Sequence, residues 1–407
     1  MTQSPPKSNG TFDLAALVSA QKPGFALDQA FYRDADIYQR DLERIFFKEW
    51  LLAGHVSEIP NVGDFFSFDI AGESVIIVRS GAETVSALVD VCRHRGSRVC
   101  LEKRGTARRF ICPYHAWTYN LDGTLERARL MPENQDPDEW HLRTVSCKQY
   151  HGMIYISFSA TPASFDEIER ELTPLIAPFE LEKMKIVHRM SYPVEANWKL
   201  LVENYNECYH CASAHPEFAR SHSIHMTADR VEPLNQAMAS RTVACGLATD
   251  TLDRIGSNRP PGSPDYMYGR YALFEGFESG SEDGQPVAPL LGQLKGNDGG
   301  ASDIYVGMLN PMLVYSDHVV AYRFIPIAEE RSIQEIIWFV HEDAVEGEDY
   351  DIDPLIWLWD VTTVADKLII EKNQEGVNSR FYQPGPYAPM ESYTQRFVMA
   401  YLDAVRA

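Results

Sequence analysis

The 407-residue sequence predicts an α+β protein, a small all-β domain followed by a larger one that mixes strands and helices. Three observations carry this. Short alternating apolar runs, bounded by Gly, Asn and Asp, fill residues 51–158 with the period-two pattern of half-buried strands. Past Pro162 the punctuation changes and a helical stretch covers residues 165–179. Toward the end, two strand-like runs at 319–327 and 332–341 precede a long helical pattern over 354–378. The implied division is an N-terminal arm and helix at 1–47, the all-β domain at 48–160, and the second domain at 161–407.

The elements follow in chain order. Pro5, Pro6, Gly10 and Pro23 break any long element in residues 1–25, which are expected to be loosely docked. Residues 38–50 space Leu42, Ile45, Phe46 and Trp50 as one helical face. Strands are expected at 65–70, 74–79 and 84–89, and Asp122-Gly123 marks a hairpin turn. Residues 254–300, rich in Gly, Pro, Ser and Asp, are expected to contain loops. No internal repeat is visible.

Composition excludes several functions. The net charge of −21 opposes binding to nucleic acid or to anionic membrane surfaces. The polar N-terminus lacks a signal-peptide core, and no apolar run is long enough to span a bilayer. The seven cysteines are an odd number, and Cys100, Cys147, Cys208, Cys211 and Cys245 are expected to be reduced thiols in a cytoplasmic protein.

Two knuckles carry the chemistry: Cys92-Arg93-His94 and Cys112-Pro113-Tyr114-His115. Each offers one thiolate and one imidazole. That is the donor set of a Rieske [2Fe-2S] cluster, in which two His on one iron replace two Cys. Two Cys and two His also suit tetrahedral zinc, but zinc sites ordinarily pair Cys with Cys and His with His. The reading is an electron-transfer centre.

A second constellation spans residues 197–218. Without Pro or Gly from 198 to 210, a helix is expected, with Glu203, Glu207 and His210 on one face. His215, held out of the α region by Pro216, would sit where that helix ends. Two such His and one distant carboxylate make a facial triad that leaves positions open on Fe(II).

Residues 91–120 resemble the cluster segment of ring-hydroxylating oxygenases and N-demethylases; Tyr114 stands where respiratory Rieske proteins have a second-loop Cys, and Ala116-Trp117 follow His115 where those proteins place a Ser. Fewer hydrogen bonds to sulfur imply a lower potential. Trp198, Glu203, Asn204, Glu207, His210 and His215 match the iron motif of Rieske non-haem iron oxygenases, whose catalytic domain is a helix-grip fold with an antiparallel sheet and a long C-terminal helix. The resemblance places the third ligand at Asp366, since Glu371, Gln374 and Gly376 follow at the family's offsets, and disfavours Asp360. It covers residues 40–218 and 338–387 with specific motifs.

Further expectations come with it. The family assembles as head-to-tail homotrimers in which a carboxylate joins a cluster His to a neighbour's iron His, a role that falls on Glu207. Asn204 is expected to position a water, tune the iron or pack the helix. Glu207 followed by Cys-Tyr-His-Cys and His215-Pro216 resembles the glycine betaine and proline betaine demethylases, with carnitine and choline monooxygenases as looser relatives. The implied reaction is hydroxylation of an N-methyl group with release of formaldehyde, and a quaternary ammonium would call for aromatic faces within about 6 Å. Electrons would come from a separate NAD(P)H-dependent flavin or iron–sulfur reductase, since no Gly-x-Gly-x-x-Gly motif is present. The alternatives are oxidation or O-demethylation of an aromatic acid and, outside enzymes, an electron carrier or ligand-binding protein. Tyr205-Asn206 departs from the subgroup's Asn-Arg, residues 219–320 resemble it poorly, and His222 and His225 are read as surface or pocket residues outside the iron site.

Overall fold

The computed structural model describes residues 13–131, 136–248 and 265–406. The expectations at Pro5, Pro6 and Gly10 lie outside them. Within the arm, Leu14–Ala20 forms a helix started by the Asp13 carboxylate, which accepts from the Ala16 amide at 3.0 Å. The helix expected over 38–50 runs instead as Ala35–Asp41 followed by a wide π turn, Leu42–Phe46. Trp50 lies beyond it, against Phe165, and donates its indole N–H to the Ala163 carbonyl at 2.8 Å. The wide turn shifts the helical phase, so Leu42, Ile45 and Phe46 enter one core while Trp50 enters another.

The β region comprises three antiparallel sheets. Val85–Val89, Glu73–Arg79, Asp64–Ile70 and Arg104–Thr106 form the first, and Leu51–His55, Met153–Ser157 and Ser146–Tyr150 the second. Phe110–Ile111, Thr118–Tyr119 and Leu125–Arg127 form the third. The Asp122-Gly123 turn joins the last two strands as expected. The Asp122 carboxylate accepts from the Thr124 amide at 2.9 Å, and Gly123 adopts φ 88° where a Cβ would lie 2.9 Å from Leu88.

The second part is a six-stranded antiparallel sheet with helices against it. Its strand order is Met184–Val194, Arg331–His341, Val319–Ala328, Pro311–Val314, Gly300–Val306, Tyr266–Ala272. Side chains alternate between two buried faces. Tyr268, Ile304, Met312, Ala321 and Ile337 pack with Trp50 and Phe165, whereas Tyr271, Leu313, Tyr322, Phe324 and Trp338 face the helices Trp198–Tyr205 and Ile352–Val377. The strand Tyr266–Ala272 lies within the segment expected to contain loops, which follow it over 273–299. Its Tyr-Met-Tyr-Gly-Arg-Tyr run is a strand pattern whose Gly and Arg masked it in a composition-based reading.

Buried polar bonds fix the helix Trp198–Tyr205 in place. Asp41 accepts from the Trp198 indole at 3.0 Å, from the Tyr401 hydroxyl at 2.7 Å and from the Lys199 ammonium. Asn197 caps the helix, accepting from the Lys199 amide at 3.0 Å, while its own amide N–H donates to Gln374 at 2.9 Å. Glu371 accepts from the Glu195 amide at 3.1 Å. Glu371 and Gln374 thus hold the long helix Ile352–Val377 against the start of the shorter one. No helix among the described residues is long and apolar enough to cross a membrane.

Candidate metal centres and cavity

The two knuckles share one backbone plan. In each, the Cys amide donates to the carbonyl five residues on (Ser97 or Trp117, both 2.8 Å), and the amide four residues on returns to the Cys carbonyl (Gly96 or Ala116, both 3.0 Å). Gly96 and Ala116, at that fourth position, both take positive φ, 77° and 57°. Cys92 and Cys112 are buried free thiols, and His94 and His115 are exposed with their Nδ1 atoms 3.1 Å apart. Two sulfurs inside and two ring nitrogens outside suit a cluster bridging core and surface.

Two neighbours brace the cluster loops. Trp117 is buried and stacks on His94, ring centres 4.9 Å apart and 5° from parallel. The Tyr119 hydroxyl lies 3.3 Å from the Cys92 sulfur and accepts from the Arg93 amide at 3.1 Å, so its proton points to sulfur. Tyr119 was missed by the sequence reading, which expected fewer hydrogen bonds to sulfur; its position seven residues past Cys112, on the strand Thr118–Tyr119, was the available signal. Burial and the Cys92 thiol both push its phenol above the ordinary range.

His210 and His215, at the two ends of the short helix Cys211–Ala214, meet Asp366 of the long helix Ile352–Val377, with one ligand atom of each within 4.8 Å of the others. The Nε2 atoms of His215 and His210 lie 2.8 and 3.3 Å from Asp366 Oδ1. Burial would raise the Asp366 carboxyl, but hydrogen bonds from both imidazoles hold it below its ordinary value. Two nitrogens and one oxygen on one side of a point, opening on a cavity, fit a mononuclear iron with free positions. Asp360 points elsewhere, accepting from the Tyr192 hydroxyl at 2.7 Å, because six residues turn it about 240° around the helix.

The helix expected to run through to His210 is shorter than that. It stops at Tyr205, and Glu207 folds back to accept from the amides of Tyr209 and His210 and from His210 Nδ1 at 2.6 Å. These bonds close the turn that precedes the short helix Cys211–Ala214 and divide the expected single face. Glu203 turns away to the Tyr32 hydroxyl, 3.0 Å from both its oxygens, where burial lifts its carboxyl to about 8. The same turn brings Cys208 and Cys211 to a Cα separation of 4.9 Å, and they form a disulfide, contrary to the reading of both as reduced thiols. Cys100, Cys147 and Cys245 are free. His222 is a core residue, stacked on Phe218 and 2.7 Å from the Tyr315 hydroxyl.

The triad opens on a cavity of about 540 Å³. Asn204, Tyr205, Tyr271, Asp303, Tyr322 and Trp359 are among its walls. Tyr205, where the subgroup pattern has Asn, packs edge-on against Tyr305, Tyr322 and Phe324.

The comparisons with known proteins follow this geometry. The Rieske [2Fe-2S] domain family matches residues 49–155, and the ring hydroxylating alpha subunit (catalytic domain) family matches residues 181–407. The glycine betaine monooxygenase oxygenase subunit of Pseudomonas aeruginosa is 35% identical over 92% of this chain and 87% of its own length. The carnitine monooxygenase oxygenase subunit of Escherichia coli is 29% identical over 87% and 84%. A crystal structure of a quaternary ammonium Rieske monooxygenase bound to an inhibitor shares the fold, with TM-score 0.71 at 22% identity over 95% of this chain and 96% of that one. A naphthalene 1,2-dioxygenase bound to phenanthrene does so with TM-score 0.68 at 19% identity over 95% and 94%.

Proposed function

The chain belongs to the Rieske non-haem iron oxygenases, and from that membership we propose that it hydroxylates an N-methyl group of a small quaternary amine, with betaines as the leading class. The observation that carries the reading is the opening of His210, His215 and Asp366 onto a cavity walled by Tyr205, Tyr271, Tyr305, Tyr322 and Trp359. Aromatic faces attract a methylated ammonium through their negative quadrupoles.

In this reading Cys92, His94, Cys112 and His115 hold the [2Fe-2S] cluster, and His210, His215 and Asp366 hold the catalytic iron. When bound, these groups supply electron transfer and reductive activation of dioxygen. The residues do the rest. Glu207 accepts the His210 Nδ1 proton, which fixes the ring with its Nε2 lone pair toward the iron position. Asn204 lines the cavity beside the triad, and the tyrosines exclude bulk solvent from the methyl group. The chemistry the cluster and the iron would supply turns an N-methyl C–H, dioxygen, two electrons and two protons into a carbinolammonium and water. A carbinolammonium sheds a proton from its hydroxyl as the C–N bond breaks, leaving formaldehyde and a tertiary amine.

A separate NAD(P)H-dependent reductase would deliver the electrons to a cytoplasmic homotrimer, with Glu207 beside the neighbour's cluster. The test is NADH-coupled oxygen uptake with formaldehyde detection, across betaines, carnitine and choline against aromatic acids. Formaldehyde released from a quaternary amine, and lost in Asp366→Ala, supports the proposal. Turnover with aromatic acids alone would sink it.

A further inference from the structure

The cavity contains a carboxylate that the iron sites do not use. Asp303 lies on the strand Gly300–Val306 and faces inward, on the same side as Tyr305 two residues on. Its hydrogen-bond partner is the Tyr205 hydroxyl, 3.4 Å from Oδ1, a long contact. Directly opposite it on the neighbouring strand is Gly269, also in the cavity wall. A Cβ built on Gly269 meets nothing within 4 Å, so open space adjoins the carboxylate where any other residue would put a side chain.

The surroundings leave this charge uncompensated. Arg270 is the one Lys or Arg among the described wall residues, and it is engaged elsewhere. Its Nε donates to Asp298 at 3.0 Å, Nη1 to Ser302 at 2.7 Å, and Nη2 to Asp298 and the Gly300 carbonyl. Tyr205, Tyr271, Tyr305 and Tyr322 all sense the Asp303 charge, and Tyr322 senses Asp366 as well. A carboxylate in such a setting is costly without a cation beside it. Burial accordingly lifts the Asp303 carboxyl to about 7.

We infer that Asp303 is the counter-ion for the substrate's methylated ammonium head, which enters the space beside Gly269 and is walled by Tyr205, Tyr271, Tyr305 and Tyr322. This rests on the N-demethylase reading for the identity of the substrate and adds the residue that selects its charge. Asp303 supplies the attraction, the rings supply contact with the methyl groups, and a neutral molecule of the same shape receives only the second.

The test is calorimetric titration of the iron-loaded holoenzyme with tetramethylammonium, with choline, and with choline's neutral isostere in which carbon replaces nitrogen. The expected result is that Asp303→Asn weakens both cations about thirtyfold or more while leaving the isostere unchanged, the scale of losing one partner of a desolvated charge pair. Iron content and the visible spectrum of the cluster serve as the control for intact folding. Gly269→Leu fills the seat with Asp303 in place and should exclude both cations. Undiminished cation affinity in either variant, or no preference for cations over the isostere in the unaltered protein, overturns the inference. Because binding needs no turnover, absence of formaldehyde with tight cation binding would overturn the reaction and leave the seat standing.

Discussion

Glu207 receives the Nδ1 proton of His210 at 2.6 Å, so the opposite ring nitrogen, 3.3 Å from Asp366, is the one presented to a metal. The carboxylate thus sets both the tautomer and the angle of the ring. Glu207→Ala should lower turnover by about 10–100-fold, the usual scale for an outer-shell partner of a ligating histidine. Glu207→Gln, whose amide oxygen can still accept, should lose less. Stopped-flow reoxidation of the reduced cluster is the measurement; unchanged rates in Glu207→Ala would remove Glu207 from the electron route.

Asp366 contributes the only carboxylate of the triad, and the two imidazoles hold it ionised. Asp366→Ala should therefore release the mononuclear iron and leave the cluster in place, because no cluster residue is near in the chain. Iron analysis should show a fractional loss with the cluster's visible spectrum retained. Loss of both centres together would mean that the two sites are not independent.

Legibility differed sharply between residues that carry chemistry and residues that shape it. Cys92, His94, Cys112 and His115 were visible because cluster chemistry restricts donors to few types at short spacing. Asp366 lies far from His210 and His215 in sequence, and the family offsets to Glu371 and Gln374 pointed to the carboxylate that the fold brings beside them. Those offsets have a physical reason, since both residues bond the backbone at Glu195 and Asn197 and so set the long helix against the start of the helix Trp198–Tyr205. Tyr119, Asp303 and Gly269 were not legible. A tyrosine aimed at sulfur or a carboxylate facing a gap depends on cross-strand register, which one sequence does not display. The end of the helix Trp198–Tyr205 was hidden for a related reason: a Glu that closes a turn looks like a Glu on a helix face.

Asp41 is fully buried, with Lys199, Trp198 and Tyr401 all donating to it. Asp41→Ala would leave a buried ammonium without its partner, at a cost of about 3–5 kcal/mol. Thermal melts should show a large drop for Asp41→Ala and a smaller one for the double variant Asp41→Leu, Lys199→Met, which removes both charges. Equal losses would mean that packing, not charge, dominates at this junction.

His55 and His222 predict acid lability. His55 is buried with Nε2–H donating to the Leu181 carbonyl at 3.0 Å and Nδ1 accepting from the Ser57 amide at 3.2 Å, so the neutral ring has no place for a second proton. Burial lowers it from 6.5 to about 4, and lowers His222 from 6.5 to about 3. The unfolded chain then binds protons that the folded one refuses, so stability is full above 6.5 and declines as pH falls toward those values. At pH 5 the loss is about 2 kcal/mol per ring. Melting temperature against pH should fall less steeply below neutrality in His55→Gln than in the unaltered protein; parallel curves would exclude His55 as a cause.

Tyr119 predicts the direction of a potential shift. Its hydroxyl proton, directed at Cys92 sulfur 3.3 Å away, stabilises the more negative, reduced cluster. Tyr119→Phe keeps the ring in its buried position on the strand and removes that proton. A net hydrogen bond of ~0.5–1.5 kcal/mol, at 59 mV per factor of ten for one electron, corresponds to a fall of about 20–60 mV. A redox titration followed by the cluster's electron paramagnetic resonance signal would read it. A lower potential should also slow cluster reduction by the reductase while favouring onward transfer, so the two half-reactions should move in opposite directions. An unchanged potential would mean that the Tyr119 proton is directed away from Cys92 once the cluster is bound.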